Sequence, residues 1–155
     1  MSGSSGPDGT AGRAARIRTA VRQQRRQLHP TSRARAAAIL GAAAPELLRG
    51  DYQSVLGYAA TDGEVDPSLV LDEAGQRGLR VYLPVVSGGV MQFRMRPRQA
   101  SGLTRDGAGI PAPPPEAPPW DGVGPVLILV PSVAVTPGGG RLGRAPISGQ
   151  RLRPD

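Results

Sequence analysis

The stretch from Ser54 to Val86 constrains the fold of this chain more than any other. SVLGYA, residues 54–59, is a short apolar run lying between Asp51 and the Thr-Asp-Gly at 61–63. Its length and its Val, Leu and Tyr mark a buried strand rather than a helix. Asp66 and Pro67 then open a helix: an aspartate caps its first N–H groups, and proline suits the first turn, where its missing N–H has no helical partner. Gly78 suits the other end of that helix. LRVYLPVV, residues 79–86, is a second apolar strand. Strand, helix and strand in this order form a βαβ unit, so the strands should run parallel with a right-handed crossover.

The segments around this unit supply its cover. From Arg13 to Leu28 the apolar residues Ala14, Ile17, Ala20, Val21 and Leu28 recur at steps of roughly three and four. Arg16, Arg18, Arg22, Arg25 and Arg26 lie among them, which predicts an amphipathic, very basic helix with Arg22, Arg25 and Arg26 on a solvated face. His29-Pro30 stops it, and His29 takes no role. Thr31 or Ser32 caps a second helix, from about residue 32 to 48, with Ala36, Ile39, Leu40, Ala43 and Leu47 as its apolar stripe and Pro45 forcing a kink or an early end. VMQFRM, 90–95, alternates and should pair as a further strand, whereas the wholly apolar PVLILVP, 125–131, reads as a central parallel strand. PAPPPEAPPW, 111–120, is a polyproline-type connector. Residues 1–12 hold nothing to bury and should form a floppy leader, residues 13–144 one α/β domain, and residues 145–155 an irregular tail.

A net charge of +7 would ordinarily suggest nucleic acid or an acidic membrane surface as a partner. All 19 basic residues are arginine, however, with no lysine or asparagine, and Ala, Gly and Pro abound. GC-rich codons produce that pattern without selection for binding. One Phe, one Trp and three Tyr also leave few rings for stacking on bases, which argues against nucleic acid as a partner. The absence of cysteine excludes disulfides and thiolate metal sites. No stretch approaches the roughly 20 apolar residues of a membrane span, and no apolar signal core opens the chain. The expectation is a cytoplasmic monomer acting on a small molecule.

Residues 138–143, Gly-Gly-Gly-Arg-Leu-Gly, match Gly-x-Gly-x-x-Gly but fail the dinucleotide test. A Rossmann fingerprint follows its strand directly, opens a helix and precedes a ribose-binding acid. Here PSVAVTP intervenes and Pro146 interrupts any helix. A plain glycine turn is the reading of the motif by itself.

The order of short motifs is more specific than any one of them. Y-x-x-x-x-x-E-V-D-P spans Tyr58 to Pro67, G-x-x-V-x-L-P-V-V spans Gly78 to Val86, and M-x-F spans Met91 to Phe93. G-x-G-I-x-x-P spans Gly107 to Pro113, L-V-P-x-V-A-V spans Leu129 to Val135, and G-x-R-L-G spans Gly139 to Gly143. In this order, behind an Arg-rich helix pair, they resemble the 5-formyltetrahydrofolate cyclo-ligase (methenyltetrahydrofolate synthetase) family over about residues 16–144. The resemblance implies a three-layer, Rossmann-like open α/β sheet, mainly parallel and similar to the sugar-phosphate isomerase and CoA-transferase class. It also implies an ATP- and Mg2+-dependent ligase of one-carbon metabolism. In that family ATP phosphorylates the formyl oxygen of 5-formyltetrahydrofolate, the neighbouring amine closes the ring, and phosphate leaves to give 5,10-methenyltetrahydrofolate. Such chemistry depends on cations that offset charge on the transferred phosphate.

Carried over by position, the resemblance implies that Glu64 contacts the folate and that Arg18, Arg141, Gly143 and Arg144 serve ATP. A lysine common one turn before Arg18 falls on Ala14, with Arg13 or Arg16 as a replacement. Beyond Arg144 the agreement stops. The family's glycine-rich run ending in Tyr-Tyr-Asp-Arg is met by Ala145, Ile147, Ser148, Gly149 and Gln150, the last in the place of a magnesium-binding aspartate. Thr136 and Ala112 likewise replace acids, and the family's last strand and helix are not matched. The abrupt loss reads as a shifted frame or a truncated product, with an incomplete ATP site and turnover near background. A folate-binding protein without ATP chemistry, or a basic nucleic-acid-binding protein, is the alternative.

Overall fold

The βαβ unit forms as its punctuation dictates. The computed structural model describes the backbone from residue 7 and the side chains from residue 11, in both cases through residue 143. β1 is Ser54–Leu56, α4 is Ser68–Gln76 and β2 is Arg80–Ser87, with β1 and β2 parallel. Asp66 Oδ1 accepts the Ser68 N–H at 2.9 Å from one residue ahead of the N-cap, which is Pro67 rather than the expected Asp66. At the other end Gly78 adopts φ +83°, which a side chain would strain. The Leu79 and Gly78 N–H groups then reach back to the Ala74 and Gly75 carbonyls, closing the helix in a Schellman arrangement. β3, Val90–Met95, folds back antiparallel on β2 through a Gly88-Gly89 turn.

β6, Val126–Ile128, pairs parallel with the outer side of β1, so the sheet order is β3-β2-β1-β6. The strand expected at the centre thus lies at an edge of the sheet among the described residues. Its composition misleads because both of its faces are apolar while only one is covered. Leu127 and Leu129 pack on the core, whereas Ile128 and Val130 are 41% and 49% exposed.

One face of the sheet is covered by helices. α2, Pro30–Ala42, and α3, Ala44–Leu47, are separate elements; of the kink or early end expected from Pro45 the structure shows the early end, with the break at Ala43. α2 is capped by His29, whose Nδ1 accepts the Thr31 N–H, with Pro30 in the first turn. Thr31 and Ser32 are therefore inside the helix, and the histidine given no role is its cap. Val55, Val81 and Leu83 from the strands meet Ala44, Leu48, Val70, Leu71 and Ala74 from the helices. Each such Val or Leu contributes about 1.5–3 kcal/mol on burial. Exposed ion pairs such as Arg77–Glu73 contribute about 0–1 kcal/mol each, so this layer rather than the surface charge holds the fold. On the alternate positions Leu56 and Tyr82 are buried against the opposite side.

The proline-rich connector is not a loose tether. It runs beside β3: the Met95 N–H donates to the Pro118 carbonyl and the Trp120 N–H to the Phe93 carbonyl, both at 2.8 Å. Trp120 meets Phe93 edge to face at 6.4 Å. Prolines 118 and 119 offer no N–H for a further strand, so this side of the sheet is closed to pairing. Two small ladders complete the chain, β4 (Thr104–Arg105) with β5 (Pro111–Ala112), and β7 (Ala134–Val135) with β8 (Arg141–Leu142).

α1 runs Pro7–Gln27. Residues 7–12 are helical where a leader was expected, because proline is tolerated at the start of a helix and lengthening a nucleated helix adds one hydrogen bond per residue. Residues 1–6 and 144–155, to which the rest of the leader and the tail belong, lie outside the described residues. The packing face of α1 also differs from expectation. Ala14, Arg18, Val21, Arg22 and Arg25 are partly buried, while Ile17 and Leu28 are 38% and 46% exposed. Among the described residues no helix is long and apolar enough to cross a membrane.

Candidate functional site

Because β1 and β6 are parallel, the loops that follow them, 57–67 and 129–133, leave the same end of the sheet. Ligands of open α/β sheets collect there. The first loop turns sharply at Asp62 (φ 52°) and Gly63 (φ 73°), where the Glu64 N–H donates to the Thr61 carbonyl. Glu64 Oε2 then accepts the Thr61 N–H at 3.1 Å, which fixes the carboxylate over its own turn. Tyr58 anchors the far side of the loop by donating its hydroxyl to the Val65 carbonyl at 2.7 Å. This bond is the physical content of the Tyr-to-Glu spacing in the sequence. Burial, then the nearby Glu64 and Asp66 carboxylates, raise the Tyr58 pKa against the opposing effect of Arg25. The tyrosine therefore stays a neutral donor.

The second loop leads into the β7–β8 hairpin, whose tip carries the glycines. The Thr136 N–H donates to the Gly140 carbonyl, and Thr136 Oγ1 accepts the Gly140 N–H at 2.9 Å. The Gly-x-Gly-x-x-Gly segment thus forms a hairpin turn that runs into β8, the glycine turn expected of it. Arg141 lies in β8 and reaches toward the Pro131 carbonyl at 3.5 Å.

α1 joins the two loops. Arg18 Nε donates to the Gly143 carbonyl at 2.9 Å. Arg25 donates through Nη2 to the Ser132 carbonyl at 2.6 Å and the Val133 carbonyl at 3.1 Å. A Cβ on Gly63 would stand 3.1 Å from the Arg25 carbonyl oxygen, so the Glu64 loop sits directly on the helix. Arg26 pairs with Asp62 at 3.2 Å. Arg25 is accordingly not on a solvated face, whereas Arg26 is, its side chain exposed beside Asp62. The helix faces backbone carbonyls that need donors, and guanidinium groups satisfy them where an apolar stripe would not. Arg18, Gly143 and Arg141 are brought to one end of the sheet with the Glu64 loop; Arg144 and Gln150 lie outside the described residues.

Sequence reasoning passed over a cleft beside this end. A cavity of about 540 Å3 opens at the end of β2, lined by Val86, Gln92, Arg94, Asp106, Gly107 and Pro113 among others. It lies between the M-x-F and G-x-G-I-x-x-P segments. Asp106 builds its wall. Burial pushes that carboxyl up, but N–H groups of Ile110, Ala108 and Val86 outweigh it and hold its pKa below the ordinary 3.8. The signal was available as an aspartate one residue before the first glycine of the motif.

Among the described residues no three His, Asp or Glu side chains cluster as a metal site. The acids nearest the strand ends are engaged, Asp62 by Arg26, Glu64 by Thr61 and Asp66 by Ser68. Among the described residues these acids are therefore not gathered into a set that would hold a resident divalent cation.

Comparison with known proteins agrees with this architecture. The chain is similar in fold to the NMR structure of Aquifex aeolicus 5,10-methenyltetrahydrofolate synthetase, with a TM-score of 0.72 and 24% identity over 88% of this chain and 69% of that one. A 5,10-methenyltetrahydrofolate synthetase from Mycoplasma pneumoniae aligns with a TM-score of 0.55 and 16% identity, covering 84% of this chain and 70% of that one. A search of curated proteins finds no match. The family profile described as the 5-formyltetrahydrofolate cyclo-ligase family matches residues 11–146, nearly the whole chain, and the protein belongs to that family of ligases.

Proposed function

We propose that the end of the sheet formed by the 57–67 loop, the cleft at β2 and the β7–β8 hairpin binds 5-formyltetrahydrofolate and ATP. Glu64 contacts the folate, and Arg18, Arg141, Gly143 and Arg144 serve the nucleotide phosphates. The observation that carries this reading is the Arg18–Gly143 bond. It unites, across 125 positions of sequence, the two segments that the family resemblance assigns to ATP. ATP, when bound, supplies the phosphoryl group that makes the formyl oxygen a leaving group. The chain's own part is to gather cationic and N–H donors at one place and to hold a carboxylate across from them, as phosphoryl transfer demands.

No step is assigned to Mg2+, since the acids among the described residues are not gathered to hold it. Two glycines of the family's phosphate run are replaced by Ala145 and Ile147, and its Tyr-Tyr-Asp by Ser148, Gly149 and Gln150. Each lost electrostatic contact costs roughly 10²–10³ in rate. The folate site is therefore expected to outlast the ligase activity. The nucleic-acid alternative is disfavoured, because Arg25 on α1 is engaged within the protein and the chain has few aromatic rings to stack on bases.

Titration calorimetry with 5-formyltetrahydrofolate, beside an absorbance assay for 5,10-methenyltetrahydrofolate with ATP and magnesium, tests the reading. The expected result is folate binding that Glu64→Gln weakens by roughly 10-fold, as for loss of a charged hydrogen bond, with product formation at background. Absence of folate binding overturns the site, and robust turnover overturns the weakened ATP chemistry.

A further inference from the structure

Arg25 belongs to no motif of the family resemblance, yet it donates twice to the segment that leads into the glycine hairpin. It lies seven residues from Arg18, two helical turns or about 10.5 Å along the axis. The two arginines hold opposite ends of one segment, Arg25 at Ser132 and Val133 and Arg18 at Gly143. On its other side the Arg25 backbone supports Gly63, and its charge is felt by Tyr58, the anchor of the Glu64 loop.

We infer that Arg25 is a positioning residue that clasps the base of the glycine hairpin to α1 and thereby sets the Glu64 loop and the hairpin in one register. The inference rests on the binding reading above. Two carbonyls of adjacent residues accept from a single guanidinium nitrogen, and they hold the point from which the hairpin swings. Methionine would keep the aliphatic stem without the donors. Lysine would keep the charge and several donors on one nitrogen, but its flexible ammonium is not held in the fixed plane that aims the two Nη2 hydrogens at Ser132 and Val133.

The test compares the full chain with Arg25→Met, Arg25→Lys and, as a control, Arg33→Met on the exposed part of α2. Amide hydrogen exchange reads the clasp directly. The Val133 and Thr136 N–H groups are bonded to Leu142 and Gly140 across the hairpin, and the Gly57 N–H is bonded to Tyr82 in the sheet. In Arg25→Met, exchange at Val133 and Thr136 is expected to rise roughly 10-fold or more, the loss expected for a charged hydrogen bond, with Gly57 unchanged. Affinity for 5-formyltetrahydrofolate and for ATP should fall together, Arg25→Lys should lie between, and Arg33→Met should match the parent chain. Unaltered hairpin exchange overturns the inference, as does a uniform rise that includes Gly57, which would make Arg25 a general stabiliser. If Arg25→Met does not fold, the contrast between the parent chain and Arg25→Lys decides by the same two amides. A parent chain that binds neither ligand refutes the binding reading, whereas the exchange contrast still tests the clasp.

Discussion

Arginine plays two parts in this chain, and what it faces separates them. On α1, Arg18 and Arg25 turn toward backbone carbonyls and are partly buried, while Arg33 and Arg35 on α2 are exposed. A charged donor on a partly shielded carbonyl contributes about 1.5–3 kcal/mol, whereas an exposed charge contributes little. Asp106 makes a comparable contribution with the opposite sign of charge, taking three backbone N–H groups. Asp106→Ala should cost about 1–3 kcal/mol in urea unfolding, because those N–H groups lose their acceptor. The pH dependence follows from the depressed pKa. The unfolded carboxyl takes up a proton at higher pH than the folded one, so the stabilisation is complete above the ordinary 3.8 and is lost as pH falls through the lower folded value. Stability measured below pH 3.8 should accordingly fall less steeply in Asp106→Ala than in the parent chain. Tyr58→Phe removes the bond to the Val65 carbonyl. It is expected to weaken folate binding several-fold while costing about 1 kcal/mol of stability, a split that calorimetry and a melt together resolve.

The elements of this protein are placed as much by how they end as by what they contain. α4 is confined between Pro67, with Asp66 bonded to the first helical N–H, and Gly78, and that fixed length sets β2 beside β1 in a single register. The end of β1 then approaches α4 so closely that a Cβ on Gly57 would stand 2.6 Å from Leu71 Cδ2. Gly57→Ala should therefore cost about 1–3 kcal/mol by overpacking, read as a lower midpoint in thermal unfolding. The two sides of the sheet end in different ways. β3 is covered by a proline-rich segment that accepts one ladder bond and donates another, and then has no N–H to extend the pattern. β6 has no such cover among the described residues, and no charged side chain occurs from Gly122 to Gly140 to discourage a further strand.

At the scale of the molecule that difference predicts behaviour. An uncharged apolar edge is a template for pairing with other chains, so the isolated 155-residue chain should self-associate as its concentration rises. Ile128→Lys, at a side chain 41% exposed, should suppress light scattering while leaving the unfolding midpoint nearly unchanged. Scattering that the substitution does not reduce would place the sticky surface elsewhere. The sequence by itself determined the βαβ unit, the strand at 90–95, the parallel direction of β6 and the motif order of the family, because caps, turns and strand periodicity act over a few residues and are written locally. It also marked Glu64, Arg18 and Gly143, although only by resemblance. What the tertiary structure decided was which side of each element faces what. The inward face of α1, the edge position of β6, the Asp106 wall and the Arg25 clasp all depend on partners tens of residues away. A guanidinium beside a carbonyl and one in water have the same spacing in the sequence, and only the fold determines which of them loses its solvent.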